Sequence, residues 1–255
     1  MKSLLKGKVA IITGAAGGLG SATARRFIDE GAQVVVADIN DQVGEELTSE
    51  LGANARYKRT DVSIEAQMRE LVDYAVDEFG QLDIMFNNAG FSGAVHPRLF
   101  DDDFADFDKV MSVNLFSVMT GSRYAAMAMK KQGAGSIINT TSLGALNPGP
   151  PILTYRAAKA GIIQFSQSIA RDVAEYGIRV NCIAPGRIPA GMTFYDMSAA
   201  IAKHQPLQRQ GTPVDVAWAA LYLASDMSLQ VTGLVIPVDG GANLGGVLDN
   251  TNRKV

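Results

Sequence analysis

The sequence predicts an α/β fold, a doubly wound parallel sheet of about seven strands with helices on both faces. Three observations predict it. Short β-branched runs such as Lys8–Thr13 (KVAIIT) and Gln33–Ala37 (QVVVA) alternate along the chain with stretches of helical period, the order of successive βαβ units. The runs are apolar without a polar face, as strands covered on both sides are. Glycine-rich or polar clusters follow the strands: TGAAGGLG at Thr13–Gly20, NNAG at Asn87–Gly90, Pro185-Gly186 and Asp239-Gly240-Gly241. That edge, at the strands' C-terminal ends, is where open α/β sheets bind ligands.

Taken in order, Lys8–Thr13 is the first strand, and a helical stretch from the glycine turn to Glu30 is closed by Gly31. Gln33–Ala37 is the second strand and ends in Asp38. A strand, a glycine-rich turn, a helix and a second strand ending in an acid form a dinucleotide-binding unit. The strict G-x-G-x-x-G spacing is not met, because Thr23 stands where the last glycine would fall; the spacing is T-G-x-x-x-G-x-G, with Gly14, Gly18 and Gly20 around Leu19. The physics is the same: glycines let backbone N–H groups approach a pyrophosphate, and the helix N-terminus favours its charge. Asp38 can accept hydrogen bonds from the adenosine ribose, and would repel a 2′-phosphate by several kcal/mol at ~4 Å and an effective dielectric of about 20. No basic residue is expected beside it to compensate: Ile39 and Asn40 follow it, and Gly17 precedes Gly18 in the turn. The cofactor expected is NAD(H) rather than NADP(H).

Asp41–Leu51 is the next helix, stopped by Gly52, and Ala55–Thr60 a strand leading to Asp61-Val62. Asp61 is either an adenine-edge contact or the N-cap of the helix that follows. Ser63–Phe79 has helical spacing and ends at Gly80; Leu82–Phe86 is the fourth strand, before Asn87, Asn88, Ala89 and Gly90. Ala94–Asp103, with His96, reads as a loop, and two helical stretches run from there to about Gln132. Asn114 lies inside the second, where asparagine is a poor residue and marks a backbone irregularity or a functional contact. Ser136–Thr141 is a strand with Ser142 at its end, Leu143–Pro151 a loop, and Thr154 to Tyr176 a helix with Thr154 or a neighbour as cap. Ile178–Ala184 is the sixth strand. The aperiodic, apolar segment 187–210 is a candidate substrate lid. Pro213–Ser225 is a helix, Leu234–Val238 the seventh strand, and the last dozen residues are polar and peripheral.

With 255 residues, 47% of them apolar and 19% charged, and no linker or low-complexity stretch, residues 1–255 read as one domain. A net charge of -3 without a basic run argues against nucleic acid and anionic membranes. No stretch approaches the length of a membrane span. Lys2, Lys6 and Lys8 before an apolar run loosely imitate a signal peptide, but five glycines between Gly7 and Gly20 break that run and export is not expected. A lone cysteine, Cys182, excludes an internal disulfide framework, reads as a small apolar filler in a strand, and fits a reducing, cytoplasmic compartment. No metal is expected, since His96 and His204 are far apart and no Cys/His cluster exists.

Tyr155 and Lys159 stand four apart at the head of a long helix and so share a face. An ammonium near a phenol favours the phenolate. Moving a tyrosine from ~10 to ~7 takes roughly 4 kcal/mol, and one lysine at ~4 Å in an effective dielectric of about 20 supplies that much. The pair is a candidate general acid/base.

In this order and spacing the motifs resemble the short-chain dehydrogenase/reductase family, in its shorter, single-domain, Rossmann-like branch, over essentially the whole chain. Thr13–Gly20 matches the family's T-G-x-x-x-G-x-G, Asn87–Gly90 its N-N-A-G, and Tyr155/Lys159 its Y-x-x-x-K; Ser142 lies thirteen positions before the tyrosine, and Asn114 and Pro185-Gly186 also match. The resemblance implies Tyr155 as acid/base, Ser142 on the substrate oxygen, and Lys159 lowering the phenol pKa and holding the nicotinamide ribose. It implies that Asn114 relays a proton through water. The cofactor would lie on Gly14, Gly18, Leu19, Gly20, Asp38, Ile39, Asp61, Val62, Asn88, Ala89, Gly90, Pro185, Gly186 and Ile188. Thr141 is a possible stand-in for Ser142, one position too far from Tyr155. The threonine that many relatives carry just after Pro-Gly is missing here: Arg187-Ile188-Pro189-Ala190 follow, and the next threonine is Thr193. Arg187 is either a substrate anion anchor or a solvated arginine, and His96 either rims the pocket or lies on a surface loop.

The resulting expectation is an NAD(H)-dependent enzyme interconverting a secondary alcohol and a ketone, and a homotetramer. Met192, Phe194, Tyr195, Met197, Leu143, Leu146 and Leu153 suggest an apolar pocket for cyclic, aromatic or steroid-like substrates. The alternatives are a 3-ketoacyl-thioester reductase, disfavoured by Asp38, and a non-catalytic NAD-binding regulator, disfavoured because Asn114, Ser142, Tyr155 and Lys159 are all present.

Overall fold

Residues 3–149, 151–189 and 197–246 are described by the computed structural model. Seven of the apolar runs form strands: β1 (Val9–Thr13), β2 (Gln33–Asp38), β3 (Ala55–Arg59), β4 (Ile84–Asn87), β5 (Gly135–Thr140), β6 (Ile178–Pro185) and β7 (Val235–Val238). They make one sheet in the order β3-β2-β1-β4-β5-β6-β7, and every pairing is parallel. The strand order reverses between β1 and β4, which opens a crevice at their C-terminal ends. All five residues of β1 are buried, which explains why it reads as an unbroken apolar run.

The strand side chains divide between two faces, as the period of two requires. Ala10, Ile12, Val34 and Val36 pack against α1 (Gly18–Asp29), α2 (Asp41–Leu51) and α9 (Pro213–Ala224), through Phe27, Leu47 and Val216 among others. Ile11, Val35 and Met85 pack on the opposite face against α3 (Glu65–Phe79) and α5 (Ser117–Gln132), through Met68, Leu71 and Met129. Full burial of one such side chain contributes about 1.5–3 kcal/mol, so the two layers hold the sheet rigid beneath the crevice. The stops expected at Gly52 and Gly80 are real, with φ of 79° and 83°.

Several boundaries differ from the expectation, each for a local reason. The two stretches before Gln132 are one helical run, α4 (Phe107–Met111) continuing through a π turn (Ser112–Phe116) into α5, with Asn114 inside the π turn. The loop after Ser142 contains a one-turn helix, α6 (Leu143–Leu146). The next helix, α7, spans Leu153–Asp172, followed by a 3-10 turn at Ala174–Tyr176. Thr154 does not cap it: the residue before α7 is Ile152, at φ 63°, a strained value for a β-branched side chain. The loop 94–103 holds only a 3-10 turn at Leu99–Asp101. Segment 187–210 includes a helix, α8 (Ser198–His204), while Met192, Thr193, Phe194 and Tyr195 lie outside the described residues, as do 247–255. Among the described residues no helix is long and apolar enough to cross a membrane, and no group of three His, Cys, Asp or Glu side chains could hold a metal ion.

Candidate active site

The crevice is closed at its base by Thr13, the last residue of β1. Its hydroxyl accepts the N–H groups of Asn88 (2.9 Å) and Ala89 (3.1 Å), and the Asn88 amide donates to the Thr13 carbonyl (3.0 Å). The glycine turn and the Asn87–Gly90 turn are thus tied together across the switch point. Gly14 sits at φ +64°, and a Cβ there would lie 2.7 Å from Ala89 Cα. A Cβ at Gly20 would lie 2.6 Å from Ala15 Cα. No larger residue fits either position.

Helix α1 begins here with Gly17 as N-cap, no side-chain cap and no acid in its first turn. The first intrahelical bond is from Ser21 N–H to Gly17 C=O (2.8 Å). The N–H groups of Gly18, Leu19 and Gly20 precede it and face the crevice end of the helix, the donor set that suits a pyrophosphate. Asp38, at the end of the adjacent β2, accepts from Ala16 N–H (2.9 Å) and Asn40 N–H (3.0 Å). A carboxylate has about four lone-pair sites, so this fixed carboxylate retains room for ribose hydroxyls. These residues fit a dinucleotide.

One expectation about this rim is corrected. The chain neighbours of Asp38 are not basic, but the β2–β3 register sets Arg59 directly opposite it. The Arg59 guanidinium donates to Ile39 C=O (2.6 Å) and to Asp41 (2.8 Å). Asp41 therefore matches the arginine's charge, and the rim keeps its acidic balance. Asp61 is not the N-cap of α3, which is Ile64. Its carboxylate instead accepts from the Ser63 N–H (3.0 Å) and hydroxyl (2.7 Å), while its own N–H donates to Gln67 (2.7 Å). Val62 beside it is buried.

Asn114, fully buried, holds the π turn open. Its amide donates to Phe91 C=O (2.7 Å) and Val110 C=O (2.8 Å), and its oxygen accepts from Phe91 N–H (3.2 Å). Asn114 and Lys159 converge on Gly90, where a Cβ would lie 3.2 Å from Asn114 Oδ1 and 3.6 Å from Lys159 Nζ. Lys159, 2% exposed, donates from Nζ to Thr140 C=O (2.9 Å) at the end of β5. Thr141 turns away from the crevice and donates to the Lys159 carbonyl (2.6 Å), so it is no stand-in for Ser142. Ser142 Oγ accepts from Gly144 N–H (3.0 Å), and its hydroxyl is close enough to the Tyr155 phenol to favour the phenolate.

The expected direction of the phenol's pKa is also corrected. Burial holds the Tyr155 phenol above its ordinary value, against the Ser142 hydrogen bond and the Arg156 charge, which both pull it down. The Lys159 ammonium lies 5.6 Å from the centre of the Tyr155 ring and is directed at the Thr140 carbonyl. Its own pKa is brought down by burial to about 8, with only the nearby Cys182 acting the other way. Cys182 itself is wholly buried, and burial pushes its thiol up to about 11; it is a core residue, as its strand position suggests.

At the end of β6, Gly186 N–H donates to Val238 C=O (2.9 Å), and a Cβ on Gly186 would lie 2.7 Å from Asp239 Cα. Ile188 packs onto the core of the α1/α9 face. Arg187 is half-buried rather than solvated. Its Nη1 is buried without a hydrogen-bond partner, beside a cavity of about 380 Å³ that Gln205, Arg209 and Asp239 also line. His96 is half-buried in the loop after Gly90. No pattern in the sequence singles out Arg59 or Arg156, yet both act at the site's edge; the Arg156 guanidinium donates to the Gly144, Asn147 and Pro151 carbonyls.

Comparison with known proteins bears on the fold and the family. The family profile described as Enoyl-(Acyl carrier protein) reductase matches residues 14–243. Momilactone A synthase of Oryza sativa subsp. japonica is 41% identical over 250 residues, covering 94% of this chain and 91% of that protein. Mitochondrial borneol dehydrogenase of Lavandula x intermedia is 38% identical over 249 residues, covering 94% and 92%. The crystal structure of levodione reductase superposes with a TM-score of 0.89 at 32% identity, covering 94% of this chain and 99% of that one. The chain belongs to the short-chain dehydrogenase/reductase family. It is an oxidoreductase of the alcohol/ketone type, in a family whose members use NAD(P).

Proposed function

We propose that this protein is an NAD(H)-dependent oxidoreductase interconverting a secondary alcohol and a ketone on an apolar cyclic, aromatic or steroid-like substrate. The observation that carries the proposal is the meeting of Ser142, Tyr155, Lys159 and Asn114 at the crevice where the α1 N-terminus lies open. A bound nicotinamide dinucleotide supplies the hydride acceptor or donor. The chain's own groups do the rest. Tyr155 Oη exchanges a proton with the substrate oxygen. The Ser142 hydroxyl, with one lone pair filled by Gly144 N–H, donates to that oxygen as its charge changes. Lys159 uses one of its three donors on Thr140, and those left serve the nicotinamide ribose and the proton's exit. Asn114 keeps the helix open beside it.

NAD is favoured over NADP by Asp38, fixed by two backbone N–H groups, and by the capture of Arg59 on Asp41. The names borneol dehydrogenase and levodione reductase favour an alcohol or ketone substrate. Residues 1–255 form one catalytic domain with segment 187–210 as its substrate lid, and the protein is a cytoplasmic homotetramer; the exposed Phe107, Phe116, Met119 and Met127 along α4 and α5 support self-association. The test is nicotinamide absorbance with a panel of cyclic, aromatic and steroidal secondary alcohols, run with NAD and NADP in parallel. Turnover with NAD on at least one of them is expected. The family description, which names an acyl-carrier-linked reductase, favours one other reading, a reductase of acyl thioesters; rates confined to NADPH and a 3-ketoacyl or enoyl thioester would establish that reading instead.

A further inference from the structure

Ser142 and Tyr155 come from different elements, the end of β5 and the first turn of α7, so something must set the distance between them. The link is α6. Four residues are too few for a helix to persist unaided, and both of its ends are held from outside. At the N-terminal end, Ser142 caps it through the bond from Gly144 N–H to Oγ (3.0 Å). At the other end lies the Arg156 guanidinium. Its Nη1 donates to Gly144 C=O (3.2 Å) and Asn147 C=O (2.8 Å), and its Nε to Pro151 C=O (3.1 Å). A Cβ on Gly144 would lie 3.5 Å from Arg156 Cγ and Nη1, so the guanidinium lies against the turn. The Gly144 and Asn147 carbonyls are among those a short helix leaves without partners, and Pro151 lies in the segment between α6 and α7.

Arg156 follows Tyr155 directly on α7. The phenol and the guanidinium therefore ride on one rigid helix, while the hydroxyl and the carbonyls ride on α6. We infer that Arg156 is a positioning residue, which sets Ser142 Oγ against Tyr155 Oη by clamping the far end of the one-turn helix that Ser142 caps. The inference rests on the assignment of Ser142 and Tyr155 proposed above. A lysine cannot replace the arginine, because a single ammonium does not present the planar fork that reaches three carbonyls. The arginine's charge also acts on the phenol in the same direction as the Ser142 hydrogen bond.

A double-mutant cycle on the full chain tests this, with Arg156→Met, Ser142→Ala and the double variant. The readouts are kcat/KM for the best alcohol of the panel at saturating NAD, NADH affinity by fluorescence, and thermal melting. A misplacement of about 1 Å costs about 100-fold in rate. Arg156→Met is expected to lower kcat/KM by about 30- to 100-fold with NADH affinity within about twofold. In the Ser142→Ala background, where there is no hydroxyl left to place, the same change is expected to cost less than about threefold. Losses that multiply in the double variant would overturn the inference, as would wild-type kcat/KM in Arg156→Met or a parallel loss of NADH affinity. Should Arg156→Met fail to fold, Arg156→Lys takes its place in the cycle with the same expected pattern. Full activity of Ser142→Ala alone would remove the site assignment and this inference together, whereas a large loss there with multiplying effects removes the inference only.

Discussion

Lys159 is 2% exposed and has burial as the main influence on its pKa, so replacing it should stabilise the fold while abolishing turnover. The displacement of its pKa from 10.5 to about 8 corresponds to about 3 kcal/mol at neutral pH. Lys159→Met recovers that cost but removes the donor to Thr140 C=O, a loss of about 1–2 kcal/mol. The net gain at pH 7 is about 1–2 kcal/mol, or a rise in Tm of about 2–8 °C for a chain of this size. The pH dependence gives the sharper test. Below pH 8 both folded and unfolded wild-type chains carry the proton, and the full cost of burying the charge applies. Between about 8 and 10.5 the unfolded chain binds the proton and the folded one does not, so wild-type stability rises with pH relative to the variant. Above 10.5 the cost is gone, only the lost hydrogen bond remains, and Lys159→Met becomes the less stable protein. Thermal melts of both proteins from pH 6 to 11, compared as a difference so that other titrations cancel, read this directly. A difference in Tm that holds constant across that range would refute the burial argument, as would a variant less stable at pH 7.

Two further substitutions probe the cofactor rim. Asp38→Asn removes the charge that opposes a 2′-phosphate, a term of about 4 kcal/mol per unit charge at ~4 Å in an effective dielectric of about 20. It should narrow the preference for NAD over NADP by at least about tenfold in parallel kcat/KM assays, and an unchanged preference would shift the determinant elsewhere. Gly14→Ala sets a methyl 2.7 Å from Ala89 Cα at φ +64°; it should weaken NADH binding by at least about tenfold and lower Tm, since positive φ alone costs about 1 kcal/mol for alanine. Wild-type affinity in fluorescence titration would contradict the close approach of the two turns.

The parts of this molecule that follow local rules are legible in its sequence. β1 and β2 are apolar because both faces are covered, and Gly52 and Gly80 end helices where only positive φ will do. Asn114 is legible as an irregularity because asparagine disfavours a helix interior, and the π turn is that irregularity. What stays hidden depends on contacts between distant residues. Strand register, not chain neighbours, brings Arg59 opposite Asp38. Helix α6 has one turn and no period to read; its two anchors, Ser142 and Arg156, are fourteen positions apart. The direction of the phenol's pKa is hidden as well, because an i,i+4 spacing reveals proximity but neither the depth of burial nor the Thr140 carbonyl that claims the ammonium.

Whether the Tyr155 hydroxyl moves the substrate's proton is tested by Tyr155→Phe, which removes one oxygen from an otherwise unaltered site. Single-turnover nicotinamide absorbance with the best alcohol of the panel, alongside NADH fluorescence titration, separates chemistry from binding. A fall of at least about 1,000-fold in the chemical step is expected, within the range of general acid/base effects, with NADH affinity changed by less than about threefold. A chemical step within about tenfold of wild type would contradict that role for the hydroxyl.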